Sequence, residues 1–215
     1  SVAAQASADL GTAIWRDDGI FTVMGSGYIC GGFDGSNVAQ TACYKTNYLT
    51  EVSSTITGSI GTGRGNSNCF CNTTYSDTPY GYVAGGITTV SLTAQTNVSE
   101  KLSTKTDTFT SISNLPIALS ESAAIVNESL RGISIGGLNS SGNEISTCYS
   151  LEYATDTFST RSTGTNPWVT RGSAGGTDLY DKGFSVGGYN GSVSLTGVSK
   201  VDFATISTSS VSSAT

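Results

Sequence analysis

The stretch Ile133-Ser134-Ile135-Gly136-Gly137 is a short apolar run that ends in two adjacent glycines, and this pattern occurs four times in the 215-residue chain. The other three copies are Tyr28-Ile29-Cys30-Gly31-Gly32, Tyr82-Val83-Ala84-Gly85-Gly86 and Phe184-Ser185-Val186-Gly187-Gly188. The first glycines of the four pairs are separated by 54, 51 and 51 residues. A repeat of about 50 residues with this signature is typical of radial arrays of small β-sheets. The spacing therefore predicts four structural repeats, each forming one sheet.

The composition favours a folded, all-β chain. Hydrophobic residues make up 37% of the sequence and aromatic residues 9%, which argues against disorder. Charged residues make up only 12%, below the roughly 25% of an average soluble domain. Serine and threonine fill the difference at about 30%, and both suit the solvent faces and turns of β-sheets. We therefore predict a single all-β domain over residues 1–215.

The charge pattern argues against nucleic acid and membrane partners. The formal net charge is −6 and the lysines and arginines are dispersed, so we expect no basic surface for nucleic acid. The longest apolar runs are four or five residues, too short for insertion into a membrane. The start Ser1-Val2-Ala3 lacks the basic and apolar regions of a signal peptide, which predicts synthesis in the cytoplasm.

Further motifs follow the glycine pairs at repeated distances. After the first, third and fourth pairs come Cys43-Tyr44-Lys45-Thr46-Asn47-Tyr48, Tyr149-Ser150-Leu151-Glu152-Tyr153 and Lys200-Val201-Asp202-Phe203. The second and third repeats contain Thr106-Asp107-Thr108-Phe109 and Thr155-Asp156-Thr157-Phe158. Apolar and polar residues alternate in these segments, as they do in half-buried strands. Each repeat is therefore predicted to contain several strands.

On these motifs the chain resembles the kelch repeat, in which an apolar strand ends in Gly-Gly, a second strand carries a tyrosine, and a Thr-Asp-Thr-aromatic turn leads into an outer strand. The resemblance implies a kelch-like β-propeller of about four blades, each a small antiparallel sheet. It places the repeats at approximately 10–58, 64–112, 117–163 and 168–211. The first and fourth repeats lack the Asp-Thr-aromatic element. Evenly spaced strands of a glycine-rich β-sandwich are the alternative architecture.

Kelch propellers commonly have six or seven blades, so four repeats leave two arrangements open. The chain forms a compact four-bladed ring, or it forms a partial wheel that other chains complete. In both arrangements the repeat glycines allow the backbone to approach its neighbours closely; they are Gly31, Gly32, Gly85, Gly86, Gly136, Gly137, Gly187 and Gly188. The large residues expected to fill the space between blades are Tyr48, Leu102, Tyr153 and Phe203.

Five cysteines leave the disulfide pattern open, because an odd number cannot all pair within one chain. Cys30 and Cys43 fall on strands that should be neighbours, which makes them the best candidates for an intrachain disulfide. The alternatives are buried thiols and disulfides between subunits. Because the chain contains no histidine and no Cys-x-x-Cys motif, we expect no metal site.

The absence of histidine also removes the usual catalytic triads and the most common general base. The cluster Gly61-Thr62-Gly63-Arg64-Gly65 lacks the Gly-Lys-Ser/Thr ending and the helix pattern of a phosphate-binding loop, so it predicts an ordinary loop. A carboxylate pair for glycoside hydrolysis is the least favoured alternative; its candidates are Asp17, Asp18, Glu121, Glu128, Asp178 and Asp181. We expect no catalytic residues, no enzymatic activity and no cofactor.

These observations favour a structural or interaction protein, a propeller module displayed on a large assembly such as the decoration, collar or fibre of a virus particle. Its expected partners are other protein subunits, including further copies of the same chain. After synthesis in the cytoplasm, its expected location is a virion or another extracellular assembly. The alternative is a carbohydrate-binding module that contacts surface glycans through loop aromatics. The candidate aromatic residues are Trp15, Trp168, Tyr180 and Tyr189, together with Tyr75 and Tyr80.

Overall fold

The computed structural model describes residues 10, 13–16, 18–23, 25–72, 79–161, 167–178 and 180–211. These residues form four antiparallel sheets of four strands each, which we call sheets I to IV in chain order. No helix occurs in these ranges, and therefore none that could cross a membrane. The predicted all-β fold class is confirmed. Asp17 and Tyr75 lie outside the described residues.

The strands of each sheet follow one another in space as they do along the chain. Sheet I contains β1 (Asp18–Val23), β2 (Ser26–Cys30), β3 (Ala42–Asn47) and β4 (Val52–Ser59). Sheet II contains β5 (Asn68–Asn72), β6 (Tyr80–Ala84), β7 (Ser99–Ser103) and β8 (Thr108–Ser111). The short strand β9 (Leu119–Ser120) comes next and pairs with β12 (Leu138–Asn139). Sheet III contains β10 (Ala123–Val126), β11 (Arg131–Ile135), β13 (Cys148–Glu152) and β14 (Thr157–Arg161), with β12 (Leu138–Asn139) between β11 and β13. Sheet IV contains β15 (Ala174–Thr177), β16 (Lys182–Val186), β17 (Val198–Asp202) and β18 (Ser207–Ser210).

The four sheets share one register, so each position in one sheet has an equivalent in the others. In each sheet, the residue before the glycine pair ends the second strand and opposes a residue at the start of the third strand. These pairs are Cys30 with Cys43, Ala84 with Ser99, Ile135 with Cys148, and Val186 with Val198. The sequence alignment on the glycine pairs therefore predicts the structural alignment of the sheets.

Three apolar clusters join the sheets in chain order. Each cluster combines one face of a sheet, which we call its leading face, with the opposite, trailing face of the next sheet. Sheets I and II share the cluster Tyr28, Cys30, Cys43, Ile56, Ile60, Val83 and Leu102. Sheets II and III share Phe70, Tyr82, Ala84, Leu115, Leu119, Tyr149, Leu151 and Tyr153. Sheets III and IV share Ala123, Ile125, Ile133, Ile135, Cys148, Val201, Phe203 and Ile206. Burial of such side chains contributes about 1.5–3 kcal/mol each.

The expectation that Tyr48 fills the space between sheets is wrong. Its side chain is 49% exposed, whereas Leu102, Tyr153 and Phe203 are buried as expected. Tyr48 lies in the β3–β4 turn on the trailing side of sheet I, and among the described residues no apolar cluster joins sheet IV to sheet I. The shared register also places Thr104, rather than Leu102, at the position equivalent to Tyr48.

The first three glycine pairs connect their sheets to the segment that enters the next one. All eight repeat glycines have positive φ angles, between 64° and 109°. The second glycine donates its N–H to a carbonyl ahead of the next sheet: Gly32 to Arg64, Gly86 to Leu119 and Gly137 to Thr170, at 2.7, 2.8 and 2.6 Å. The first glycine of the second pair also lacks room for a side chain. A Cβ on Gly85 would lie 2.4 Å from the Leu119 carbonyl oxygen.

Candidate functional site

A cavity of about 430 Å³ lies where the entering segments of all four sheets meet. One residue from each segment has a left-handed backbone at this point, and these residues are Arg16, Asn66, Glu121 and Gly172, with φ angles of 49°, 55°, 55° and 62°. Backbone hydrogen bonds link them in series: Asn66 N to Arg16 O at 3.0 Å, Glu121 N to Asn66 O at 3.3 Å, and Gly172 N to Glu121 O at 2.7 Å. The cavity is thus built from equivalent positions of the four repeats.

Charged side chains cluster beside this cavity. Arg171 donates from Nη1 to Glu121 Oε2 at 3.4 Å, and its Nε lies 3.1 Å from Glu144 Oε1. The guanidinium of Arg171 also lies 5.3 Å from the centre of the Tyr189 ring, and Asn66 donates to Glu121. Arg171, Glu121 and Tyr189 line a cleft of about 600 Å³ together with Arg16. The cleft offers donors, acceptors and one aromatic ring to a small polar molecule.

The sequence analysis named Glu121 and Tyr189 as separate candidates but did not predict that they meet at Arg171, although one signal of the shared position was present. In the last three repeats the left-handed residue is followed by serine, in Asn66-Ser67, Glu121-Ser122 and Gly172-Ser173. Asparagine and glycine are the residues that adopt left-handed backbone most readily. Glutamate has no such preference, so only the position of Glu121 in the repeat indicates its left-handed backbone.

The structure does not bring the four candidate aromatics together. Tyr189 follows β16 and lines the cleft, whereas Tyr180 precedes β16 at the other end of that strand and is 68% exposed. Trp15 donates from its indole nitrogen to the Asp34 carbonyl, and the Arg16 guanidinium lies 4.9 Å from its ring. Trp168 is half-buried against Gly197, where a Cβ would lie 2.7 Å from its ring. Tyr80 is half-buried under Lys101.

The leading face of sheet IV differs from its three equivalents in exposure. Val186 is 46% exposed, whereas the equivalent Cys30, Ala84 and Ile135 are each 0% exposed. Phe184 is half-buried, whereas the equivalent Tyr28, Tyr82 and Ile133 are fully buried. Val198 is likewise half-buried where Cys43 and Cys148 are completely buried. Sheet IV therefore presents an apolar surface at positions that are interior in the other sheets.

Ion pairs between a strand lysine and a turn aspartate accompany the apolar contacts between sheets I and II and between sheets II and III. Lys45 on the leading face of sheet I lies 3.6 Å from Asp107, in the β7–β8 turn of sheet II. Lys101, the equivalent of Lys45, pairs with Asp156 in the β13–β14 turn of sheet III. The hydrogen bond with the Tyr28 hydroxyl raises the pKa of Lys45, with Asp107 acting in the same direction. Burial raises the pKa of Tyr82, which stacks on Tyr153 with ring centres 5.1 Å apart.

The predicted disulfide between Cys30 and Cys43 is confirmed. The two residues oppose each other on β2 and β3, with their Cα atoms 4.0 Å apart. Cys69 and Cys71 are half-buried thiols on β5, and Cys148 is a buried thiol on β13. Ile135, and not a cysteine, opposes Cys148. The bridge therefore belongs to sheet I and is not repeated in sheet III.

The candidate carboxylates are dispersed over the described residues. Glu121 is held by Arg171 at the cleft, whereas Asp178 and Asp181 lie in the β15–β16 loop. Backbone N–H groups of Lys182, Tyr180 and Asp181 donate to Asp178 and lower the pKa of its carboxyl. Within the described ranges, no group of three or more histidine, cysteine or acidic side chains is placed to hold a metal ion.

Comparison with known protein families gives no match to this chain, and comparison with curated proteins gives none either.

Proposed function

We propose that the protein is a non-enzymatic structural module that acts through contacts with other protein subunits. In this proposal the four sheets are the blades of a kelch-like propeller, and the cavity shared by the four entering segments lies on its axis. The module would be displayed on a large assembly such as the decoration, collar or fibre of a virus particle.

The exposed leading face of sheet IV carries this proposal. A monomeric protein gains little from leaving an apolar sheet face in water, and contiguous exposed apolar surface commonly marks a contact with another protein. Val186, Phe184 and Val198 occupy positions that are interior in the preceding sheets. The low content of charged residues, 12%, agrees with a surface that makes extensive contacts.

The mass of the intact chain in solution tests the proposal. We expect light scattering after size exclusion, over about 1–100 μM protein, to give an oligomer of defined mass. Reductant should leave that mass unchanged, because the Cys30–Cys43 disulfide lies within one chain. A strictly monomeric protein that also captures no partner subunit from its native particle would contradict the proposal.

The cleft at Arg171 and Tyr189 supports a second candidate function, the binding of surface glycans. Arginine, carboxylate and aromatic groups are the usual donors, acceptors and stacking surface for sugars, and here they line one cleft. Retention on a glycan array that is lost in Tyr189→Ala but kept in Tyr180→Ala would favour this function. Equal retention of both variants would argue against it.

A further inference from the structure

We propose that two copies of this chain associate head to tail, with the leading face of sheet IV of one copy packed against the trailing face of sheet I of the next. The inference rests on the proposed structural function and names its partner, a second copy of this chain. In this arrangement the contact between copies repeats the contact between consecutive sheets.

The apolar surfaces of the two faces are the first observation. Phe184, Val186 and Val198 on sheet IV stand where Tyr28, Cys30 and Cys43 stand on sheet I, and those three are buried against sheet II. On the other side, the trailing face of sheet I presents Tyr48, which is 49% exposed. Its equivalents, Tyr153 and Phe203, are buried against the preceding sheets.

Charge complementarity is the second observation, and it fixes the register. The lysine of the leading face pairs with the last residue of the β-turn in the next sheet, as in Lys45 with Asp107 and Lys101 with Asp156. Lys200 is the equivalent lysine of sheet IV, and no ion pair of Lys200 occurs within the described residues. The equivalent turn residue of sheet I is Glu51.

The backbone of Glu51 supports that assignment. Its φ angle is 55°, close to the 52° of both Asp107 and Asp156, so all three acids have the same left-handed turn geometry. Sheet IV has Ile206 at this position, and Ile206 is buried against sheet III. Lys200 and Glu51 are thus the opposite charges that the shared register would bring together at a contact between sheet IV and sheet I.

Backbone hydrogen bonding is the third observation. Gly32, Gly86 and Gly137 each donate to the segment that enters the next sheet, and Gly188 is the equivalent glycine of sheet IV. The acceptor equivalent to Arg64 in sheet I is Ile14, since Trp15 bridges Phe33 as Gly65 bridges Ile87. No hydrogen bond joins Gly188 to Ile14 within the described part of the chain. In the head-to-tail contact, Gly188 donates to the carbonyl of Ile14 in the second copy.

Charge reversal tests the arrangement, because each single variant places like charges at the contact. Lys200→Glu alone opposes Glu51, and Glu51→Lys alone opposes Lys200. We expect each variant to weaken self-association by at least about tenfold, as measured by light scattering and sedimentation velocity. An equimolar mixture of the two variants restores opposite charges at every contact and should recover the native mass. The matched control is Lys105→Glu, the same charge change at an exposed turn position of sheet II.

A second pair of variants tests the apolar part of the contact. Val186→Arg should weaken self-association strongly, whereas Val38→Arg, at a valine that is 55% exposed in the β2–β3 loop, should leave it unchanged. Unaltered β-sheet circular dichroism shows that each variant is folded.

The outcomes separate this inference from the proposed function. An oligomer whose mass and affinity survive Lys200→Glu, Glu51→Lys and Val186→Arg overturns the head-to-tail contact and keeps the structural function with another interface. A monomer at all concentrations that Lys200→Glu destabilises shows that sheet IV closes on sheet I within one chain, and this also overturns the contact. A monomer that captures no partner from its particle contradicts both proposals.

Discussion

At the level of single residues, a repeat glycine such as Gly85 has both a left-handed backbone and a close neighbouring atom, whereas some other glycines of the chain have only one of these features or neither. Gly85 has a φ of +71° and a carbonyl oxygen 2.4 Å from its potential Cβ, whereas Gly25 has a φ of +78° with nothing within 4 Å. Gly35 has neither constraint. Alanine at these three positions therefore measures the backbone preference and the close approach independently.

We expect the loss in free energy of unfolding to be smallest for Gly35→Ala, larger for Gly25→Ala and largest for Gly85→Ala. Gly35→Ala should change it by less than about 0.5 kcal/mol, and Gly25→Ala should lower it by about 1–2 kcal/mol for the left-handed backbone alone. Gly85→Ala should lower it by about 3 kcal/mol, because the collision with Leu119 adds to the backbone cost. Urea unfolding measures all three. Equal losses at Gly25 and Gly85 would show that close approach is unimportant.

A second residue-level prediction concerns Asp202. The side chain of Lys182 and the backbone N–H groups of Thr205 and Ala204 donate to this carboxylate and lower its pKa to about 2, from an ordinary value of 3.8. Because the folded pKa is the lower one, these bonds stabilise the fold above about pH 4 and are lost as the pH falls through about 2.

Carbon-detected NMR titration of the Asp202 carboxyl measures this pKa. Lys182→Met should move the midpoint up towards 3.8, because the lysine is the largest cause of the shift, while Thr205 and Ala204 still hold it below that value. A midpoint that does not move would assign the shift to the backbone donors alone.

At the level of elements, the loop entering sheet II is held by a buried ion pair. Arg64 is 0% exposed, and its Nη2 lies 2.9 Å from Oε2 of Glu100 on β7, which is 7% exposed. The other carboxylate oxygen of Glu100 accepts the Gly61 N–H at 2.7 Å. Removing one partner from such a pair leaves the other charge buried without compensation, and this costs about 3–5 kcal/mol.

We therefore expect Arg64→Met to lower the free energy of unfolding by about 3–5 kcal/mol. Lys45→Met is the matched control, since Lys45 pairs with Asp107 at about one-third exposure and should cost less than about 1 kcal/mol. Chemical unfolding compares the two variants. Similar small losses would mean that water reaches Glu100 once the arginine is removed.

The same loop contains a feature that the sequence did not predict, the buried Arg64. The glycine spacing predicted the four sheets and their alignment, because a repeated local pattern requires a repeated local structure. It also placed Cys30 beside Cys43. The burial of Arg64 was not predictable, since arginine is normally exposed and its partner Glu100 is 36 residues away. The meeting of Glu121 with Arg171 was not predictable for a similar reason, since the two residues belong to different repeats and are 50 residues apart.

At the level of the whole molecule, the sheets differ in how many packed faces they have. Among the residues that the structure describes, sheets II and III each contribute to two apolar clusters, whereas sheets I and IV each contribute to one. Sheet I is additionally held by the Cys30–Cys43 disulfide. Sheet IV has no disulfide among its residues, and β15 is largely exposed along its length. Local opening is easiest where the fewest buried contacts must break.

Hydrogen exchange should therefore be fastest in sheet IV when the protein is dilute enough to be monomeric. We expect amides of β16 and β17 to exchange at least about tenfold faster than those of β6, β7, β11 and β13, as followed by mass spectrometry of peptic peptides. At concentrations where the chain self-associates, β16 and β17 should slow selectively, because Val186 and Val198 then become interior. Exchange in dilute sheet IV as slow as in sheets II and III would show that its leading face is already covered within one chain.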